Sequence, residues 1–124
     1  MDYYENAMEQ SKAANILFQN SEYRTCVSLS CLAIELYLKS RLCLADGGAK
    51  YEFSHDIISM YNLLNNSFAS RKDLLRIVRI SRKYFTESRY ASAGNEVYTK
   101  EFAQEFLSYV MDIKHYVDNE CIAD

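Results

Sequence analysis

The side chains best equipped for chemistry gather late in the chain, in Tyr84-Phe85-Thr86-Glu87-Ser88-Arg89-Tyr90. Arg89 and Tyr90 fall where a predicted helix gives way to a loop, a common place for functional groups. A guanidinium offers a planar fork of donors suited to phosphate, and a neighbouring tyrosine can stack or hydrogen-bond. Arg89 also has a plainer use, which is to satisfy the last carbonyls of that helix. Upstream, Lys72, Arg76, Arg79 and Lys83 recur at four- and three-residue steps and so form one helical stripe. Seven basic and two acidic residues lie between Arg71 and Arg89, a local charge of +5 against −8 for the remainder. Arg79 and Arg82 join the candidates for phosphate contact. A solvated helix face, or one paired with acidic neighbours, would use the same stripe.

Two further positions draw notice. Glu35 and Lys39 form an i, i+4 pair on an otherwise apolar helix. Such a pair contributes only about 0.3–0.5 kcal/mol on a surface, but on a central helix it must be satisfied or reached by solvent, so it suits a cleft wall. His55-Asp56 follows Ser54, where the imidazole is placed either to move a proton or simply to pack against a first helical turn. Cys26, Cys31, Cys43 and Cys121 show no CxxC or Cys/His spacing fit for zinc, and they read as reduced, small apolar side chains. No metal or cofactor is implied.

The elements that must hold these groups are helical. Proline is absent and glycine occurs three times in 124 residues, too few turn formers for a β-rich fold. Apolar spacing predicts about five helices. The first runs from Asp2 to Gln19, and the second from Glu22 to Ala45 with Ser21 as its N-cap and Asp46-Gly47-Gly48 ending it. The second is apolar almost all round, which makes it central. A third runs from His55 to Leu64 behind a Ser54 cap, and a Ser70/Asp73 capping box opens the fourth. Ser88 to Tyr98 reads as an ordered loop, after which Thr99 caps the fifth. Short connections favour antiparallel neighbours, so the expected fold is an all-α, up-and-down bundle of four to five helices in one domain, 1–124. Eleven tyrosines are too many for every hydroxyl to be buried with a partner, so several should line a cleft or an interface.

The net charge of −3 argues against indiscriminate binding to nucleic acid or membrane by the whole surface. No apolar run is long enough to span a membrane, and Asp2, Glu5 and Glu9 stand where a signal peptide needs positive charge. A cytoplasmic location is expected.

The order and spacing of several segments resemble the HEPN family of small helical bundles. They are Tyr23-Arg24, then Leu32-Ala33-Ile34-Glu35-Leu36-Tyr37-Leu38-Lys39-Ser40, Ser54-His55-Asp56-Ile57, and Tyr84 through Tyr90. The resemblance implies a homodimer with functional groups in the cleft between subunits. It also implies metal-independent ribonuclease activity in many members, nucleotide binding or scaffolding in others, and frequent pairing with a nucleotidyltransferase as toxin and antitoxin. Catalytic members use an arginine followed after four to six residues by a histidine. Here the corresponding positions beyond Arg89 hold Gly94, Asn95 and Glu96, and Ala91 replaces the usual proline. The missing histidine removes the group suited to proton transfer near neutral pH.

The leading expectation is a non-catalytic, dimeric module that binds a nucleotide or RNA phosphate, or pairs with a nucleotidyltransferase. Arg89, Tyr90, Glu35, Lys39, His55, Arg79 and Arg82 are its candidate ligand-binding residues. A divergent ribonuclease using His55 or a tyrosine is one alternative. A purely structural dimeric interaction protein is the other.

Overall fold

In the computed structural model, residues 2–90 and 96–122 are described. Those residues form five helices and no strand: α1 (Tyr3–Gln19), α2 (Tyr23–Leu42), α3 (Ile57–Ser67), α4 (Leu75–Glu87) and α5 (Lys100–Asn119). Short 3-10 turns at Gly48–Tyr51 and Lys72–Leu74 lead into α3 and α4. The all-helical bundle expected from apolar spacing is the observed fold.

The helix ends refine the expected boundaries. Asp2 caps α1 by accepting from the Glu5 amide, and Thr99 caps α5 by accepting from Phe102. At the start of α2, Ser21 makes no capping bond. It adopts a left-handed φ of 60°, and Glu22 takes the N-cap position. The α3 cap is Asp56, which accepts from the Ser59 amide, while Ser54 accepts from the Asp56 amide one step earlier. The Ser70/Asp73 box does not form. Both Asp73 oxygens accept from the Arg71 guanidinium, and a charge-assisted bidentate pair outcompetes a capping bond. The second helix stops at Leu42, three residues short of Ala45. Gly47, at φ 81°, then makes the left-handed turn, and a Cβ on Gly48 would collide with the Leu42 carbonyl oxygen. The expected loop from Ser88 to Tyr98 falls partly at 91–95, outside the described residues.

Helix α2 touches all four of the others. The contact of Tyr4 with Tyr37 and of Phe18 with Tyr23 sets α1 antiparallel to it. Ser88, at the end of α4, meets Arg24 at the start of α2, so α4 also runs against α2. Buried Ala33, Ile34, Tyr37 and Leu38 join Met60, Leu64, Ile77 and Ile113 in one part of the core, and Cys26, Val27 and Cys31 join Ala14 and Phe106 in another. Each large aliphatic side chain taken fully from water adds about 1.5–3 kcal/mol of hydrophobic stabilisation, and α2 supplies the most of them.

Tyrosine is used more deeply than its hydroxyl suggests. Tyr37, Tyr61 and Tyr116 are fully buried, whereas Tyr90 is 60% exposed. Asn65 satisfies Tyr116 by donating to its hydroxyl oxygen at 3.0 Å. Cys26, Cys31 and Cys121 are buried free thiols and Cys43 is an exposed one. Among the described residues no group of metal-type side chains is arranged to hold an ion, and no helix is long and apolar enough to cross a membrane.

Candidate functional site

The site grows outward from a buried carboxylate. Glu35 lies on α2 among apolar residues, with the whole residue 3% exposed. A charge there must be compensated, because desolvation costs several kcal/mol per ion. Two groups do this. Lys39, one turn on and itself buried, places Nζ 3.5 Å from Oε2. His55 brings Nδ1 to 3.0 Å from Oε1 and 3.1 Å from Oε2.

The connection after α2 carries His55 back alongside Glu35, so residues 20 apart in sequence meet. An ionised carboxylate only accepts hydrogen bonds, so Nδ1 carries the proton in this pair. In the neutral imidazole Nε2 is then the acceptor, and the ring is 69% exposed. Nε2 has no hydrogen-bond partner among the described residues. Such a histidine, oriented from behind and open in front, is fit to take a proton from an incoming group.

Phe85 joins this pair to α4. Its ring lies 5.9 Å from the His55 ring, centroid to centroid, and the Arg89 guanidinium lies 3.9 Å above the Phe85 centroid. The stack holds the guanidinium plane by a cation–π contact while leaving its N–H fork for an anion. Arg89 does not cap α4. Arg24 does so instead, donating from Nη1 to the Ser88 carbonyl at 2.7 Å. Arg24 and Phe85 are thus positioning residues: both fall in the family-like segments of the sequence, but residue type and spacing gave neither a positioning role there. Their signals were faint: an arginine opening α2, and an aromatic four positions before Arg89.

Neighbouring groups complete the electrostatics. Asp56 accepts from the Ser59 hydroxyl and amide, which hold its carboxyl below the usual range, and Arg82 adds to the effect. Burial pushes the Cys31 thiol up to about 12, against the opposing pull of Ser81 and the Arg89 charge.

The structure brings His55, held by Glu35, and Arg89 together at Phe85. Tyr90 follows Arg89 with its ring largely exposed. Lys39 faces the other side of Glu35, over the Tyr3 ring at 5.8 Å, at the wall of a cleft of about 940 Å³ between the start of α1 and the end of α2. Arg79 lines a shallow groove on the outer face of α4 with Lys72, Arg76 and Lys83. Gly94 and Asn95, where a catalytic histidine would be sought, lie outside the described residues.

A family model for the HEPN domain matches residues 1–120. No curated protein and no solved structure matches the chain.

Proposed function

Since this chain belongs to the HEPN domain family, we propose that it is a dimeric module that binds the phosphate of a nucleotide or RNA at Arg89. Membership supports a nucleotide- or RNA-related role. The observation that carries the narrower reading is the Arg89 guanidinium stacked on Phe85, its donors unclaimed by the helix end it was suited to cap. Tyr90 offers a face for a base, Arg82 adds charge at the rim, and His55 stands beside the bound phosphate. The cleft completes itself across a second copy of the chain. A nucleotidyltransferase is the partner this reading favours, with the two acting as a toxin–antitoxin-type pair in the cytoplasm.

The test is thermal unfolding with and without mononucleotides and short RNAs. A ligand at a hundred times its dissociation constant stabilises the fold by about 2.7 kcal/mol, a readily measured melting shift. The shift is expected for wild type and lost in Arg89→Ala. A shift that survives Arg89→Ala refutes the assignment.

One observation favours a second reading, a divergent metal-independent ribonuclease. The Glu35–His55 pair supplies an oriented imidazole without the missing motif histidine. In that reaction His55 Nε2 takes the proton of a ribose 2′-hydroxyl as its oxygen attacks the adjacent phosphorus, and the 5′-oxygen leaves with a proton from solvent. Cleavage of RNA in the presence of a chelator, abolished by His55→Ala, separates this reading from simple binding.

A further inference from the structure

The outer face of α4, with the 3-10 turn before it, carries a row of four cations against one carboxylate, Asp73, which Arg71 already holds. Lys72, Arg76, Arg79 and Lys83 line a groove of about 640 Å³ whose floor includes the half-buried Leu75 and Ile80. None of the four makes an ion pair among the described residues, although Arg71, immediately before them, pairs with both Asp73 and Glu120. Two of the four are held in place: Arg76 lies 5.6 Å over the Tyr109 ring and Lys83 5.3 Å over the Tyr84 ring. At 1.5 Å rise per residue, cations three and four residues apart recur about every 4.5–6 Å along the helix.

We propose that this ridge is a track for a single-stranded RNA backbone, leading along α4 towards Arg82 and Arg89. The inference rests on the phosphate-binding reading above and adds to it that the ligand is a strand several nucleotides long. A duplex strand presents a phosphate about every 3.4 Å of axis, and a single strand drawn out presents them further apart. The cation spacing fits the extended strand. A protein partner fits less well, because interfaces are anchored by aromatic or aliphatic side chains buried at their centre. Among the described residues the large exposed apolar side chains are Met8, Ile16, Leu44, Phe53, Tyr90, Val97, Met111 and Ile122, none of them on α4. Leu75 and Ile80 in the groove are half-buried rather than protruding anchors. Tyr90 stands just past its C-terminal end, where a base emerging from the track would meet its ring.

The test is fluorescence anisotropy with labelled oligouridylates of two, four and eight nucleotides. It compares wild type, Arg89→Ala, Arg79→Gln, and a quadruple variant in which Lys72, Arg76, Arg79 and Lys83 become Gln. Four phosphate contacts on a single strand predict a salt slope of about −2.8, or roughly 50-fold weaker binding at 200 mM than at 50 mM salt. Affinity should rise with length in wild type. The quadruple variant should lose most of the length and salt dependence, and Arg79→Gln, which disturbs no ring contact, should reduce the slope by about 0.7. Equal binding of the dinucleotide and the eight-mer, or an unchanged slope in both stripe variants, overturns the proposal. So does a stripe variant that changes sedimentation from dimer to monomer while keeping its RNA slope, since the ridge is then a subunit contact. If Arg89→Ala binds the eight-mer like wild type and the quadruple variant does not, the track stands and the Arg89 reading falls. The reverse pattern sinks the track alone.

Discussion

Glu35 and His55 meet with opposite exposures: the carboxylate is buried on the central helix, while the imidazole it orients stands mostly in solvent. Removing each partner should therefore have a different effect. Glu35→Ala leaves the Lys39 ammonium buried without its counter-charge, and loss of one partner from a buried pair costs about 3–5 kcal/mol. Urea unfolding should show a loss at the lower end of that range, partly restored in Glu35→Ala/Lys39→Met. His55→Ala removes an exposed ring but also one of the two donors to the buried carboxylate, which Lys39 still holds, so it should cost only about 1 kcal/mol. Equal losses from the two single variants would contradict the geometry.

Arg89→Ala should separate binding from folding. The guanidinium is exposed and, among the described residues, stacks on Phe85, so melting of the free protein should shift little. A hydrogen bond to a charged group contributes about 1.5–3 kcal/mol, so phosphate affinity should fall roughly 10- to 100-fold. Isothermal titration with a short RNA measures the loss directly. Arg89→Lys should recover only part of it, because an ammonium keeps the charge without the planar fork.

The cysteines should react unequally. Burial pushes the Cys26 thiol up to about 11 and Cys31 to about 12, and Cys121 is also raised by burial. The thiolate is the reactive form, so at pH 8 these three stay inert in the folded chain. Cys43 is exposed. Iodoacetamide followed by intact mass should show one adduct on native protein and four in urea.

Acid should weaken the junction of α1, α2 and α5. Burial alone would raise the Asp118 carboxyl, but bonds from Lys114 and Tyr4, with the Arg41 charge nearby, outweigh it and hold the carboxyl below its ordinary value. A depressed folded value stabilises the protein above the unfolded pKa, and the contribution fades as pH falls through the folded one. Asp118→Asn should melt lower than wild type at neutral pH, and the gap should close in acid below the usual carboxylate range. A gap that holds constant with pH would place the effect elsewhere.

How far the sequence could be read depends on how local each cause is. Helix α4 was legible because its buried residues Ile77, Val78 and Ser81, with Leu74 just before them, keep a plain 3.6-residue spacing. The capping errors came from competition that spacing does not display. Asp73 has a cap to make but finds the Arg71 fork closer, and Ser54 yields to Asp56 two residues on. Glu35, His55 and Arg89 were each visible as chemistry-bearing residues, yet their meeting depends on the return path after α2. Arg24 was harder still, because its partner is a backbone carbonyl 64 residues away, which no side-chain pattern encodes.

The central place of α2 has a consequence for how the protein comes apart. Every other helix rests part of its apolar face on this one, so none can leave without wetting it. Partial opening confined to one flank is thereby disfavoured, and the amides of α2 should exchange with solvent only when the whole bundle dissolves. Glu35 sits in the middle of that helix. A mostly exposed imidazole is thus tethered to the helix whose amides should be the last to exchange.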